Sequence, residues 1–246
     1  MAQPSPSIAH STVSLILRGA DLQPHRSRYW KTPRLNAEFV ERASKILWCY
    51  EQVERLHDHD ELLVCFDEKP NLQALERSRP GAAMRPGHIA RQEFEYVRHG
   101  TVNFAAALLV HDGTMRGWCL EKNDSDSLIP ALDELLEEHH DVPKVHLIWD
   151  GGSSHTSEKT TRFLQGRRRK VRVLQTPAHA SWLNQAELLL RAFSEHYLAR
   201  GDWTSRLALT DHLHASCAEY NSRFAHPFAW SWTRRKMQSW VSSQGS

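Results

Sequence analysis

Two short apolar runs constrain the fold of this chain more than any other feature. Residues 62–66 (LLVCF) and 145–149 (VHLIW) are rich in β-branched and aromatic side chains, and an aspartate follows each run, Asp67 and Asp150. This composition predicts buried β-strands. Since open α/β sheets bind ligands at the carboxyl ends of parallel strands, we expect the two acids to lie at one edge of a sheet. Taken singly, either aspartate is more often a turn or helix-cap residue than a catalyst.

The remaining pattern predicts a mixed sheet with helices packed on it. Strands are predicted at 102–110 and 115–120, and Asp112-Gly113 between them is a typical hairpin turn. A loop is predicted over the Pro-, Gly- and Arg-rich stretch 69–92, and Pro130 is expected in the first turn of its helix. Apolar spacing predicts helices over about 11–18, 36–57, 125–139, 157–166, 183–200 and 207–220, with a further strand at 171–175. Strands that are hairpin-linked and then alternate with helices favour an α/β fold.

A third acid, Glu187, lies on the predicted helix 183–200 among apolar residues. A carboxylate in apolar surroundings is destabilising unless a cation compensates it. Its partner is either Arg191, four residues further along the helix, or a metal ion. Three carboxylates without a cysteine or a paired histidine suit a hard divalent ion such as Mg²⁺ or Mn²⁺.

Length and composition exclude several classes of protein. The chain has 246 residues, 40% of them hydrophobic and 24% charged, which is typical of a globular protein that can bury a large core. It lacks the ~20-residue apolar stretch that a membrane span needs, and its first residues do not resemble a signal peptide. Its four cysteines are scattered, without zinc-binding or disulfide-like spacing. We therefore expect a cytoplasmic protein with no membrane partner.

The formal net charge of +2 conceals a strongly basic segment near the N-terminus. Such a segment can neutralise DNA phosphates and contribute a salt-dependent, sequence-independent affinity. The alternative is a linker that packs Trp30 against the main domain. The candidate DNA-binding residues of this segment are Arg26, Arg28, Lys31 and Arg34.

Several motifs in order carry a family resemblance. The strings CFDEKPNLQALERSRPG, RQEFEYVRHGT, HLIWDGGSSHTS and TPAHASWLNQAELLLRAF resemble the catalytic domain of DDE transposases, specifically the bacterial insertion-sequence family numbered 630, allied to the mariner transposases of eukaryotes. The resemblance extends from about Ser11 to the C-terminus. Asp150 and Glu187 are separated by 36 residues, close to the spacing in that family. Gly151 departs from it, because an asparagine commonly stands there.

The resemblance implies a ribonuclease H-like α/β fold with a mixed five-stranded sheet. It implies that Asp67, Asp150 and Glu187 form the catalytic triad and hold two Mg²⁺ or Mn²⁺ ions. It also implies double-stranded DNA as the partner, both transposon ends and target, with a homodimer on the DNA in the bacterial cytoplasm near the nucleoid. His155 matches a recurrent histidine that would contact a DNA phosphate or a metal-bound water; the alternative is a histidine in a surface turn.

Three segments are expected on this basis. Residues 1–35 resemble the end of a helix-turn-helix DNA-binding region followed by the basic linker, 36–60 form a connecting helix, and 61–246 form the catalytic domain. The expected function is DNA transposition, in which transposon ends are cleaved and joined to target DNA. Two alternatives stay open: a truncated remnant that only nicks or binds DNA, and a non-catalytic binding protein whose acids are structural.

Overall fold

The computed structural model describes residues 35–79, 81–91, 94–199 and 201–244, without the side chain of Gln244. The predicted helix 11–18 and the basic residues Arg26, Arg28, Lys31 and Arg34 lie outside these ranges. The helices are α1 (Ala37–Glu51), α2 (Val53–Asp58), α3 (Ser125–Glu138), α4 (Ser153–Thr156), α5 (Glu158–Gly166), α6 (Gln185–Phe193), α7 (Arg206–Arg223) and α8 (Arg234–Gln244). The strands are β1 (Glu61–Arg77), β2 (Tyr96–Leu109), β3 (Met115–Leu120), β4 (Lys144–Trp149) and β5 (Val171–Gln175).

The five strands form one mixed sheet in the order β3-β2-β1-β4-β5. Strands β1 and β4 are parallel and adjacent, with pairs from Glu61↔Lys144 to Cys65↔Ile148. Strand β2 pairs antiparallel with β1 on its other side, and β5 pairs parallel with β4. The expected mixed five-stranded sheet is therefore confirmed, including the parallel pairing of the two strands that deliver Asp67 and Asp150.

Both faces of the sheet are covered, because side chains alternate along β1. Leu63 and Cys65 belong to a core shared with α1, α6 and α7. Leu62, Val64 and Phe66 belong to a second core, shared with α3 and α5. This arrangement explains why the strand is apolar throughout rather than alternating in the sequence.

Strand β1 is much longer than the sequence predicted. It continues beyond Phe66 as far as Arg77 and stays paired with β2 to the end, where Arg77 faces Tyr96. The pairing register shifts between Lys69 and Leu72, where Pro70 lies. A proline cannot donate to the ladder, but it is tolerated at such an irregularity. The predicted loop 69–92 is therefore wrong for residues 69–77, where Pro70 marks a bulge within the strand, whereas the described residues from 78 to 91 lie outside both strands as predicted.

Three helix predictions also need correction. The helix expected over 36–57 is interrupted at Gln52, which separates α1 from α2. The helix expected over 183–200 begins at Gln185, and a π-helical turn at Ser194–Leu198 follows it. Pro130 lies in the second turn of α3, not the first, so one backbone hydrogen bond is missing inside that helix. In the described ranges, we find no helix with the length and hydrophobicity of a membrane span.

Candidate active site

The sheet register brings Asp67 and Asp150 to the same level. The last parallel pair of β1 and β4 is Cys65↔Ile148, and each aspartate lies two residues further along the chain, Asp67 within β1 and Asp150 directly after β4. Since side chains alternate, both acids are on the face that Cys65 and Ile148 share with α6. The two acids therefore meet at the carboxyl edge of adjacent parallel strands, as the apolar runs predicted.

Asn184 places the third acid beside them. It is the N-cap of α6: its Oδ1 accepts a hydrogen bond from the Ala186 backbone N at 3.2 Å. Its Nδ2 donates to the Phe66 carbonyl at 2.8 Å, so the start of α6 is fixed to β1 one residue before Asp67. Asn184 was not predicted as a site residue, although an asparagine just before a helix is a common cap signal.

Glu187 is not neutralised by the neighbouring arginine. Arg191 instead pairs with Glu195, with 3.1 Å between Nε and Oε1. Within the described residues, no cationic side chain pairs with Glu187, and its side chain is exposed rather than desolvated among leucines. The Glu187–Arg191 ion pair that the sequence left open is therefore not formed.

Asp67 is the acid that interacts with both of the others. Burial raises the pKa of Asp67 most, and the charges of Asp150, Glu68 and Glu187 raise it further, to about 7. A hydrogen bond from the Glu68 backbone N at 2.9 Å opposes this shift. The site thus gathers several carboxylates around Asp67 and, in the part of the chain that is described, gives Asp67 no cationic partner.

Asp150 is held by a buried histidine. Its Oδ1 accepts hydrogen bonds from His155 Nδ1 at 2.8 Å and from the Gly152 backbone N at 2.9 Å. The bond from His155 lowers the pKa of Asp150, burial opposes the shift, and the Gly152 N–H adds to it. Burial alone lowers the pKa of His155, but its hydrogen bonds to Asp150 and Glu68 outweigh this and raise it to about 10.

The position of His155 corrects one prediction. The residue is 3% exposed, and its two ring nitrogens are engaged by Asp150 and Glu68. In this arrangement both ring nitrogens are bonded within the protein and the ring is buried, so the surface-turn alternative is wrong; contact with a DNA phosphate or a metal-bound water stays a prediction. The role of Glu68 was also missed, because a pair formed across 87 residues leaves no local signal in the sequence.

The donors of this site fit a hard divalent ion. They are carboxylate oxygens, and Asp67 and Glu187 lack a cationic partner among the described residues, which leaves negative charge for an ion to neutralise. In the described ranges, no group of three or more His, Cys, Asp or Glu side chains is already close enough to hold a metal ion. Glu187 is exposed and makes no side-chain hydrogen bond with the described residues, so it can swing towards an ion.

Comparison with known proteins identifies relatives of this arrangement. Residues 62–210, which include all three acids, match the model of the DDE superfamily endonuclease family. No curated protein matches the chain closely enough to count as a relative.

Solved transposase structures share the fold. The Mos1 transposase paired-end complex with left transposon end superposes with a TM-score of 0.59 at 20% identity, over 97% of this chain and 71% of that chain. The mariner Mos1 paired-end complex with Mg gives 0.59 at 19% identity, over 97% and 72%. The catalytic domain of Mos1 mariner transposase gives 0.53 at 17% identity, over 88% and 98%. At these identities the matches concern the fold, and they confirm the ribonuclease H-like prediction.

Proposed function

The chain belongs to the DDE superfamily of endonucleases, and we propose that it is a DNA transposase in which Asp67, Asp150 and Glu187 form the catalytic triad. We further propose that it is of the mariner-allied bacterial type, the insertion-sequence family numbered 630. The transposase neighbours support this proposal through their fold, and the motifs quoted above support it through the sequence.

The observation that carries the proposal is the common level of Asp67 and Asp150 on adjacent parallel strands. Asn184 adds Glu187 to the same edge, and Asp67 interacts with both of the other acids. Acids that served only as caps or turn residues would have no reason to lie at one edge of the sheet, two of them, Asp67 and Glu187, without a cationic partner among the described side chains.

We propose that Asp67, Asp150 and Glu187 would together hold two Mg²⁺ or Mn²⁺ ions. Bound there, such ions activate a water or a 3′-hydroxyl and stabilise the leaving oxygen of a phosphodiester. Asp150 presents Oδ2, because Oδ1 is engaged by His155 and Gly152. The raised pKa of Asp67, about 7, means that the ion-binding form of this acid increases with pH across the neutral range.

The proposed partner is double-stranded DNA, both the transposon ends and the target. Solved relatives include complexes of Mos1 transposase with a transposon end and a strand-transfer complex. Because two ends have to be cut together, we propose that two copies of the chain act on them as a homodimer. Light scattering with and without end DNA would measure this: a complex containing one protein chain would contradict it.

A supercoiled plasmid carrying the candidate ends tests the proposal. The wild type with Mg²⁺ is expected to linearise the plasmid and join the released ends to target DNA. Asp150→Asn is expected to do neither, because the amide keeps the shape of the side chain but loses the charge that holds an ion.

The plasmid products separate the alternatives. Nicking without joining would favour a remnant that has lost transposition. Equal cleavage by wild type and Asp150→Asn would show that the triad is not the catalyst, and a non-catalytic binding protein would then be favoured. A conservative control is Asp126→Asn, an exposed acid paired with Lys159 on α5, which should cleave like wild type.

A further inference from the structure

A buried histidine lies between two carboxylates at the candidate site. His155 Nδ1 is 2.8 Å from Asp150 Oδ1, and Nε2 is 2.9 Å from Glu68 Oε1. Glu68 follows Asp67 on β1 but points to the opposite face of the sheet, since side chains alternate. Because ionised carboxylates only accept hydrogen bonds, both ring nitrogens of His155 have to donate.

Packing contacts hold the His155 ring in addition to its hydrogen bonds. The imidazole stacks on Trp149 with 4.4 Å between centroids and an interplanar angle of 7°. Phe66 contacts it edge-on, with centroids 6.3 Å apart. The short helix α4 that carries His155 is tied down as well: the Ser154 carbonyl accepts a hydrogen bond from Thr160 Oγ1 at 2.7 Å. The orientation of the ring is therefore set by contacts within the protein.

With the ring in this orientation, the two carboxylate oxygens of Asp150 differ in their hydrogen bonding. Oδ1 takes the hydrogen bonds from His155 and Gly152, which saturate it within the protein. Oδ2 takes none from the described residues, and 42% of the Asp150 side chain is exposed. The hydrogen bond from His155 to Oδ1 thus leaves Oδ2 as the oxygen that is available to a ligand.

We propose that His155 and Glu68 are positioning residues for the endonuclease reaction: Glu68 orients the ring, and the ring holds Asp150 by Oδ1 so that Oδ2 alone binds an ion. The inference rests on the proposed function, because it assumes that Asp150 is an ion ligand. Partners behind a metal ligand commonly contribute about 10- to 100-fold in metal affinity or activity.

Two substitutions at His155 distinguish positioning of Asp150 from a packing role of the side chain. The amide nitrogen of asparagine occupies the place of Nδ1, and that of glutamine occupies the place of Nε2. His155→Asn keeps the donor to Asp150 and is expected to bind Mn²⁺ within about 3-fold of wild type, whereas His155→Gln should bind at least ~10-fold more weakly. The measurement is the electron paramagnetic resonance signal of free Mn²⁺, titrated with the DNA-free protein. Plasmid cleavage should follow the same order.

His146 supplies a matched control. It is buried like His155 and pairs with Glu61 at 2.6 Å, so it joins the same two strands at their other ends. His146→Asn and His146→Gln should leave Mn²⁺ affinity unchanged. Thermal unfolding in EDTA checks that every variant is folded. If His155→Gln is unfolded, Glu68→Leu removes the outer partner instead, and an unchanged Mn²⁺ affinity in that variant would overturn the inference.

The outcomes distinguish this inference from the proposed function. If His155→Asn and His155→Gln lose Mn²⁺ affinity equally, His155 acts through packing and the positioning role is wrong. Wild-type Mn²⁺ affinity in both variants would also show that the positioning role is wrong. Asp67→Asn provides the reference for the triad itself. If Asp67→Asn binds Mn²⁺ as well as wild type, the proposed ion site is wrong; if it loses Mn²⁺ while His155→Gln does not, only the positioning role is wrong.

Discussion

Asn184 joins the helix of the third acid to the strand of the first, since its Nδ2 donates to the Phe66 carbonyl at 2.8 Å. The same side chain caps α6 through the backbone N of Ala186. Asn184 is 1% exposed, so both bonds are shielded from water. Asn184 therefore fixes the first turn of α6, which carries Glu187, to the strand that carries Asp67.

The first prediction is that Asn184→Ala reduces both stability and cleavage. Loss of the cap costs about 0.5–2 kcal/mol, and the Phe66 carbonyl left without a donor costs about 1–3 kcal/mol more. Plasmid cleavage should fall at least ~10-fold, because the helix turn that carries Glu187 is no longer fixed to the strand of Asp67. Urea unfolding and cleavage of a supercoiled plasmid measure the two effects.

Ser205→Ala is the control for that prediction. Ser205 caps α7, accepting from the Ala208 backbone N at 3.0 Å, and no residue of the candidate site lies on that helix. It should lose only the cap contribution and cleave within about twofold of wild type. Equal cleavage by the two variants would show that Asn184 does not position the site.

The second prediction concerns pH in the absence of metal. The folded-state pKa of Asp67 is about 7 against an ordinary value of 3.8, so the folded state binds this proton more tightly than the unfolded chain does. The resulting destabilisation is fully present above pH 7 and disappears as pH falls towards 4. Asp67→Asn should flatten this dependence and raise Tm at pH 8 by ~2–4 °C for each kcal/mol removed from the combined penalty of burying the charge and repelling the neighbouring acids.

Differential scanning calorimetry in EDTA, from pH 8 to pH 5, checks this expectation. Asp126→Asn is a suitable control, because Asp126 is exposed and its pair with Lys159 lies away from the three acids. A lower Tm for Asp67→Asn than for wild type at pH 8 would mean that a cation stabilises ionised Asp67 in the folded protein. The finding that Asp67 lacks a cationic partner would then not hold in solution.

The main strands and their acids could be predicted because their signals are local. The runs before Asp67 and Asp150 are apolar on both faces, which only a strand between two helical layers requires. Parallel pairing of such strands then places their ends together. For Asp67 and Asp150, sequence and sheet geometry lead to the same conclusion.

The supporting residues could not be predicted, because their partners are distant in the chain. His155 contacts Glu68 across 87 residues, and Asn184 contacts Phe66 across 118. The long continuation of β1 was hidden for a related reason: Pro70 is a breaker in isolation but is accommodated by a shift in register that β2 provides. The strand propensity of residues near Pro70 contains no information about the pairing with β2 that accommodates the proline.

The third prediction contrasts two neighbouring glycines. A Cβ on Gly151 would meet the Gln175 side chain at 2.9 Å, whereas one on Gly152 would meet Asp150 Oδ1 at 3.0 Å and His155 Nδ1 at 3.5 Å. Gln175 is long and can move, at the expense of its 3.0 Å bond from Arg42. Gly151→Asn should therefore cleave within about threefold of wild type, while Gly152→Ala should lose at least ~10-fold by displacing Asp150.

Cleavage and Mn²⁺ affinity of the two glycine variants, measured together, test this contrast. Both should remain folded, since the crowded atoms belong to side chains at the edge of the sheet. Wild-type activity in Gly152→Ala would show that the site tolerates movement of Asp150 and would weaken the case for positioning by His155.

The last prediction is that the basic segment binds DNA without regard to sequence. Replacing Arg26, Arg28 and Lys31 together by alanine should weaken binding and make the slope of log affinity against log salt shallower by ~0.9 for each phosphate that is no longer neutralised. Asp150→Asn should bind DNA as well as wild type or slightly better, because removing a negative charge near a polyanion reduces repulsion. Fluorescence anisotropy at several salt concentrations gives both quantities.

A second triple variant controls for net charge in that experiment. Its three cations are exposed and each is already paired with a glutamate four residues away; they are Lys45, Arg162 and Arg223. Replacing them removes the same formal charge, yet the salt dependence should stay close to that of wild type, because these cations are offset within the protein and are not held for phosphates. If both triple variants flatten the salt dependence equally, overall charge and not the N-terminal segment governs affinity, and the assignment of Arg26, Arg28 and Lys31 to DNA binding fails.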